Sequence, residues 1–361
     1  MKSIFAVFTV IISLLISVPA QAVVQYTVTD LGTLGGPLSS AIDINKYGHV
    51  VGFAEIASSI DSPFLYREGV MSDLGNFGGN YSEARGINSS GQIVGFSNYG
   101  IFTAGSLPHA FFYNGESMQD LGTFGGSESY AEDINDRGQI TGWWYDNVNK
   151  VNRAFIYQNG TKKDLGNLGG SDSWAHAINS SGQVAGYARL SSGNEHAFVY
   201  NDGTASMQDL GTLGGNTSNA YNINDNGQVV GLSTTADGSY HAFLYTGGRM
   251  KDLGTLGGNY TSAWGINTIG QVVGTGLTAS SQWAGFLYSD GKMTNLNDLI
   301  PQSSGWELAS PMAINDAGQI VGSGKIGGVT HAFLLTPIPE PSTIAILITA
   351  TIGSLLLWRR R

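Results

Sequence analysis

Arg85, Glu132 and His176 are side chains whose types and spacing could do chemistry together. A carboxylate, an imidazole and a guanidinium at one site would supply a general acid, a general base and a stabiliser of developing charge, the equipment of a hydrolase or lyase. Each follows an alanine, in Ala84-Arg85, Ala131-Glu132 and Ala175-His176, and they stand 47 and 44 residues apart. Ile42, Tyr221, Trp264 and Met312 occupy the same place in other copies of the pattern. Mixed hydrogen-bonding and aromatic side chains also suit a surface that binds without reacting, so catalysis and recognition compete for the same residues.

The pattern that sets these positions in register returns seven times: a small residue, two variable ones, Ile-Asn, a short turn, then Gly-Gln-Val/Ile-x-Gly. It runs Ala84 to Gly95, Ala131 to Gly142, Ala175 to Gly186, Ala220 to Gly231 and Ala263 to Gly274, with looser copies at Ala41 to Gly52 and Pro311 to Gly322. Measured on the Asn at 45, 88, 135, 179, 224, 267 and 315, the steps are 43, 47, 44, 45, 43 and 48 residues. A period in this range marks a repeat architecture.

Each period holds four strand-like pieces bounded by Gly, Asn and Asp clusters. The first ends in Ile-Asn, the second is Gln-Val-Val-Gly, the third is aromatic as in His241 to Tyr245, and the fourth ends Asp-Leu-Gly. Asn-x-x-Gly between the first two is a tight hairpin connection. Four strands in about 44 residues match one blade of a β-propeller. The last period ends at Leu335 without a fourth strand, while the chain opens with an unpaired one, Gln25 to Gly32. The expected fold is therefore all-β, a seven-bladed β-propeller closed by the N-terminal strand completing the last blade, which leaves no exposed edge. The first strand of each blade lies nearest the axis.

Positions constant between copies answer to structure, and positions that vary are free for binding. The variable set Arg85, Glu132, His176, Tyr221 and Trp264 is the first candidate site. Tyr81, Tyr130, Trp174 and Tyr260, carried beside the Gly-Gly pairs that cross between blades, extend it on the face where the connections between second and third strands are long and unlike one another, as from Phe96 to Pro108 and from Trp143 to Asp146 onward. Aromatic-rich loops on one face of a rigid scaffold are where binding function usually sits. Packing between blades is the competing role for those aromatics.

Cofactor and metal motifs are weak. The chain has no Cys, which removes disulfides and thiolate ligands. Repeated His and the Asp of Asp-Leu-Gly (Asp30, Asp73, Asp120, Asp164, Asp209, Asp252) are distributed around a ring and read as strand-edge and turn residues. Asp133-x-Asn135-x-x-Gly138 and Asn222-x-Asn224-x-Asn226-Gly227 lack the downstream Glu of a calcium loop. Gly-Gly pairs without Lys-Ser/Thr are no phosphate loop. Neither a cofactor nor a metal is expected.

Both ends carry addresses. Lys2, an apolar run from Ile4 to Val18 and Ala20-Gln-Ala22 form a secretory signal over residues 1–22. At the other end Pro339-Glu340-Pro341 leads into seventeen residues, Ser342 to Trp358, barely enough to span a bilayer, and then Arg359, Arg360 and Arg361. This order over residues 337–361 resembles the PEP-CTERM sorting signal of exported proteins in Gram-negative bacteria that make extracellular polysaccharide. The resemblance implies an exosortase-type enzyme as processing partner, transient membrane anchoring through the C-terminal helix, and release to the cell surface or matrix. Residues 23–336 resemble a second family, the extracellular HAF repeat, through His-Ala-Phe at His109, His196, His241 and His331, with departures at Ser62, Arg153 and Ala284. That family supplies no reaction or catalytic residue.

Without the two signals the body carries about −13 of charge, which repels nucleic-acid phosphates and anionic lipid. Three functions stay open: a non-catalytic module for extracellular polysaccharide, favoured because the resemblance to the sorting signal implies an association with exopolysaccharide; a protein–protein scaffold of the envelope; and a propeller hydrolase or lyase.

Overall fold

A computed structural model describes residues 24–56, 60–100 and 107–339. The leader and, of the sorting residues, Glu340, Pro341, Arg359, Arg360 and Arg361 lie outside them; Pro339 is the last residue described. Among the described residues no helix is long and apolar enough to cross a membrane. Tyr26–Pro337 form one compact unit.

That unit is all-β. In the fifth repeat, strands Gly214–Ile223, Val229–Thr235, Tyr240–Thr246 and Arg249–Asp252 pair in that order, all antiparallel. The other repeats follow the same order, and their innermost strands are Gly35–Ile44, Gly78–Ile87, Ser129–Ile134, Gly169–Ile178, Gly257–Ile266 and Trp306–Ile314. The last repeat takes its fourth strand from the other end of the chain: Tyr26–Asp30 pairs with Val329–Pro337, from Tyr26 opposite Pro337 to Asp30 opposite Phe333. Tyr26 is buried there, and desolvation pushes its hydroxyl pKa up to about 12.

Packing follows the third strand. Phe64, Phe111, Phe155, Phe198, Phe243, Phe286 and Phe333 have no exposed surface, and each is the one member of the His-Ala-Phe motif present in every copy. Burying such a side chain contributes about 1.5–3 kcal/mol. The apolar clusters straddle neighbouring repeats: Ala177, Ala185 and Ala197 of the fourth pack with Ala220, Val229 and Phe243 of the fifth. Hydrophobic burial therefore joins the repeats to one another as well as holding each together.

The repeated Asn does more than turn the chain. Asn224 accepts the N–H groups of Asn226 and Gln228 on Oδ1, and its Nδ2 donates to Gln228 Oε1 and to the carbonyl of Asn267 in the next repeat, both at 2.8 Å. Asn45 donates likewise to Asn88, Asn88 to Asn135, Asn135 to Asn179, Asn179 to Asn224, and Asn267 to Asn315. Asn315 donates to Asn45, so the hydrogen bonds return to their start. All seven side chains are buried, and a buried amide left unpaired costs about 1–3 kcal/mol.

Two features differ from the sequence reading. The Gly-Gly pairs are not loops in most repeats; Gly78-Gly79 and four others begin the innermost strand. Gly78 has φ +89°, which strains any other residue, and a Cβ on Gly79 would lie 2.2 Å from the carbonyl oxygen of Asn98, so the start of this strand favours glycine at both places. Trp143 to Asp146 are likewise strand, the end of Ile140–Asp146, and the connection after them is only the short turn 147–150.

The His and the Asp of the motif find each other across the third and fourth strands. His241 Nδ1 is 2.7 Å from Asp252 Oδ2, while Asp252 Oδ1 accepts the N–H of Gly254. His109–Asp120, His196–Asp209 and His331–Asp30 repeat the pair. Where His is replaced the contact persists: Ser62 donates to Asp73 at 2.6 Å, and Arg153 stands 3.7 Å from Asp164. At Ala284 there is no Asp to meet, because Asn295 takes its place and accepts from Asn297 instead.

Candidate functional site

The variable residue of each first strand sits on a β-bulge. Register shifts fall between Ala84 and Gly86, Ala131 and Asp133, Ala175 and Ala177, Ala220 and Asn222, Ala263 and Gly265, and in the two looser copies between Ala41 and Asp43 and between Pro311 and Ala313. A bulge leaves its extra residue unpaired and re-aims the side chains around it. Ile42, Arg85, Glu132, His176, Tyr221, Trp264 and Met312 consequently line one shared cavity of about 290 Å³. Five of these are the residues proposed from the sequence.

The cavity wall is divided by character. In the second and third repeats Arg85 Nε lies 2.7 Å from Glu83 Oε2, and its Nη1 lies 3.8 Å from Glu132 Oε2. Burial opposes the guanidinium charge, but Glu132 and Glu83 outweigh it and hold the Arg85 pKa above its ordinary value. Tyr81 donates to Glu83 at 2.5 Å. Trp143 donates through Nε1 to Glu132 at 3.1 Å and stacks on Tyr130 with ring centres 4.0 Å apart. Desolvation raises the pKa of both tyrosines, so their hydroxyls stay protonated donors.

The fourth to sixth repeats supply an aromatic arc. Trp174 stacks on Tyr187 at 4.8 Å, Tyr187 on His176 at 5.3 Å, His176 meets Tyr221 edge-on at 5.7 Å, and Tyr221 stacks on Trp264 at 4.5 Å. Burial lowers the His176 pKa, so the imidazole is neutral at pH 7, and its buried Nε2 has no hydrogen-bond partner among the described residues. No hydrogen bond joins His176 to Glu132 among the described residues, and Glu132 is already engaged by Trp143 and Arg85. The acid, base and stabiliser suggested by residue type thus share a cavity without forming a relay. Ile42 and Met312 complete the wall with aliphatic surface.

Tyr260 differs from its companions. It does not line the cavity; its ring lies 5.8 Å from Tyr240 and 5.3 Å from Trp283. Tyr81, Tyr130 and Trp174 reach the cavity indirectly, through Glu83, Trp143 and Tyr187.

Sequence reasoning did not place Asp43, Asp133 and Asn222 at the site, weighing the last two only as starts of a calcium loop, yet all three line the cavity one step beyond the bulge. A weaker signal was present, since the residue before Ile-Asn runs Asp43, Gly86, Asp133, Ala177, Asn222, Gly265, Ala313, which changes between copies but stays small. Asp43 accepts the N–H groups of Ile44 and Ile87, and Asp133 those of Ile134 and Ile178, so each carboxylate also ties two repeats together. Both keep a little surface toward the cavity while protein surrounds them. Desolvation raises both pKa values, and for Asp133 the nearby charge of Asp43 adds to it, pushing its pKa to about 7. The aromatic partners Phe96, Trp143 and Tyr187 were also missed; they occupy the position after the second Gly of Gly-Gln-x-x-Gly, directly opposite Glu83, Tyr130 and Trp174. No group of three or more His, Asp or Glu among the described residues could hold a metal ion.

Neither a family model nor a curated protein matches the chain. Among solved structures, YCF48 bound to D1 peptide is similar with a TM-score of 0.53 at 13% identity, over 88% of this chain and 96% of that one. The β-propeller domain of the trilobed protease from Pyrococcus furiosus gives 0.50 at 14% identity, over 71% and 81%. TolB from Acinetobacter baumannii gives 0.44 at 15% identity over 64% of this chain, which spans 60% of that protein's length. Likeness at these identities establishes the fold alone, that of a β-propeller.

Proposed function

We propose that the chain is a seven-bladed β-propeller closed by its N-terminal strand, acting as an exported, non-catalytic binding module for extracellular polysaccharide. Closure is supported by the pairing of Tyr26–Asp30 with Val329–Pro337 and by the Asn circuit. The observation that carries the binding role is the partition of one cavity into a hydrogen-bonding side, at Arg85 and Glu132, and a stacked aromatic side, at Tyr221 and Trp264. A pyranose ring has hydroxyls around its edge and a C–H surface on its faces, so it can satisfy both walls at once. Aromatic rings supply large contact area with little entropy lost on binding.

Export and release rest on the two terminal resemblances: Pro339-Glu340-Pro341 and Arg359 to Arg361 are the recognition elements for an exosortase-type enzyme, and the body is of the HAF-repeat type. The second reading is a protein scaffold, favoured by the likeness to YCF48, a protein seen bound to D1 peptide.

Glycan-array binding tests the site. Trp264→Ala and Tyr221→Ala should each lower the signal about tenfold or more, the usual cost of losing an aromatic anchor. Binding unchanged by both removes the cavity from the account, and recovery of one protein partner without any glycan turns the reading to a scaffold.

A further inference from the structure

Tyr260 leads to a second surface. Trp283 is 56% exposed and Tyr240 is 44% exposed, and Tyr260 lies between them in ring contact with both. Large exposed aromatics in contact on the rim of a soluble domain mark an interaction site more often than chance exposure. Trp283 also lines a groove of about 340 Å³ between the sixth and seventh repeats, shared with Gln282, Glu307 and Lys325.

Asn297, which also lines the groove, is held by Asn295 and Leu308, but three other polar side chains there are free among the described residues. Glu307 and Lys325 face each other across the strand pair, yet they form no ion pair, and neither they nor Gln282 make a side-chain hydrogen bond among the described residues. An aromatic platform beside an uncommitted amide, carboxylate and ammonium offers stacking together with donors and acceptors. The two charges sum to zero, so the groove carries no net charge that would select a charged ligand over a neutral one.

Position links this surface to the cavity. Tyr260 and Trp264 stand on the same strand, Gly257–Ile266, four residues and about 13 Å apart. A linear ligand stacked at Trp264 can therefore continue over the rim toward Trp283, and binding both places at once raises affinity through effective concentration.

We propose that Trp283, with Tyr240 and Tyr260, is a second subsite for a neutral saccharide chain whose first subsite is the cavity at Trp264. This rests on the cavity reading above, and the test separates the two. The full chain is run in native gels containing hydroxyethylcellulose, xylan, galactomannan or, as a charged polymer, alginate, and a matching disaccharide is titrated in solution.

At least one neutral polymer should retard the protein. Trp283→Ala should weaken that retardation about tenfold, Trp283→Phe should retain most of it, and the disaccharide should lose affinity in Trp264→Ala but not in Trp283→Ala. Because Trp283 is exposed, its replacement leaves the core intact, and unchanged melting of both variants verifies this. Retardation unaffected by Trp283→Ala overturns the second subsite, while its loss in Trp264→Ala preserves the first. Absence of retardation in all neutral gels overturns both, retardation by alginate alone overturns the neutral class, and capture of a peptide in place of any polymer replaces the saccharide.

Discussion

Asn315 Nδ2 donates to the carbonyl oxygen of Asn45 at 3.1 Å across 270 residues of chain, and that bond turns six contacts between consecutive repeats into a circuit without ends. Asn315 also donates to Gln319 Oε1 and accepts the N–H groups of Ala317 and Gln319. Asn315→Leu should cost about 2–4 kcal/mol, since it leaves buried backbone groups unpaired. Urea denaturation of Asn315→Leu beside Asn179→Leu checks the circuit. In a closed ring the two cost about the same; a much smaller effect at Asn315 would mean that the join contributes little.

The N-terminal strand gives a second prediction. Tyr26 is 1% exposed and packs with Phe333, Leu335 and Leu299, while its N–H donates to the Leu299 carbonyl. Tyr26→Ala should destabilise by about 3–5 kcal/mol and open Val329–Pro337 to proteolysis. Tyr240→Ala, on the exposed rim, should change stability by less than about 0.5 kcal/mol. Thermal melts and limited proteolysis of the two variants distinguish a strand that closes the fold from one that decorates it.

Asp133 predicts a pH dependence. Its pKa in the fold is raised to about 7, by desolvation first and then by Asp43 and Glu132. Between about pH 4 and pH 7 the folded chain holds a proton that the unfolded chain has released, so this group's stabilisation is complete at the low end and lost as pH climbs through about 7. The loss is on the order of 1.4 kcal/mol per pKa unit, lessened by water in the cavity. Denaturation at pH 5 and pH 8 should show wild type weaker at pH 8, and Asp133→Asn should flatten the difference. An unchanged slope in the variant would assign the titration elsewhere.

His241 and Asp252 separate a surface contact from a cap. The pair is partly exposed, so His241→Ala should cost no more than about 1 kcal/mol. Asp252→Ala also strands the N–H of Gly254 and should cost more, about 1–2 kcal/mol. Equal effects in chemical denaturation would show that the turn is indifferent to the carboxylate.

Much of the fold was legible because its demands are local and repeated. The Phe present in every His-Ala-Phe copy is the buried residue of each third strand, and the position after each small residue was recognised as free. The shared cavity was missed in part for a physical reason. A bulge brings two successive residues toward one space, so Asp43, Asp133 and Asn222 join their neighbours there, whereas strict strand alternation would have sent them to the opposite face. The stacked partners Trp143 and Tyr187 were hidden because they belong to a different strand, paired only when the hairpin forms.

By itself the sequence determined the repeat, its strand order and the variable residues, because turn chemistry and alternation act over a few neighbouring positions. Only the tertiary structure decided that Asn45 to Asn315 join in a circuit, that Arg85 stands between Glu83 and Glu132, and that Tyr260 turns outward to Trp283 while Trp264 faces the cavity. Those relations span whole repeats. They depend on the angle and distance at which one sheet packs on the next, which hydrophobic burial between repeats sets and no local pattern encodes.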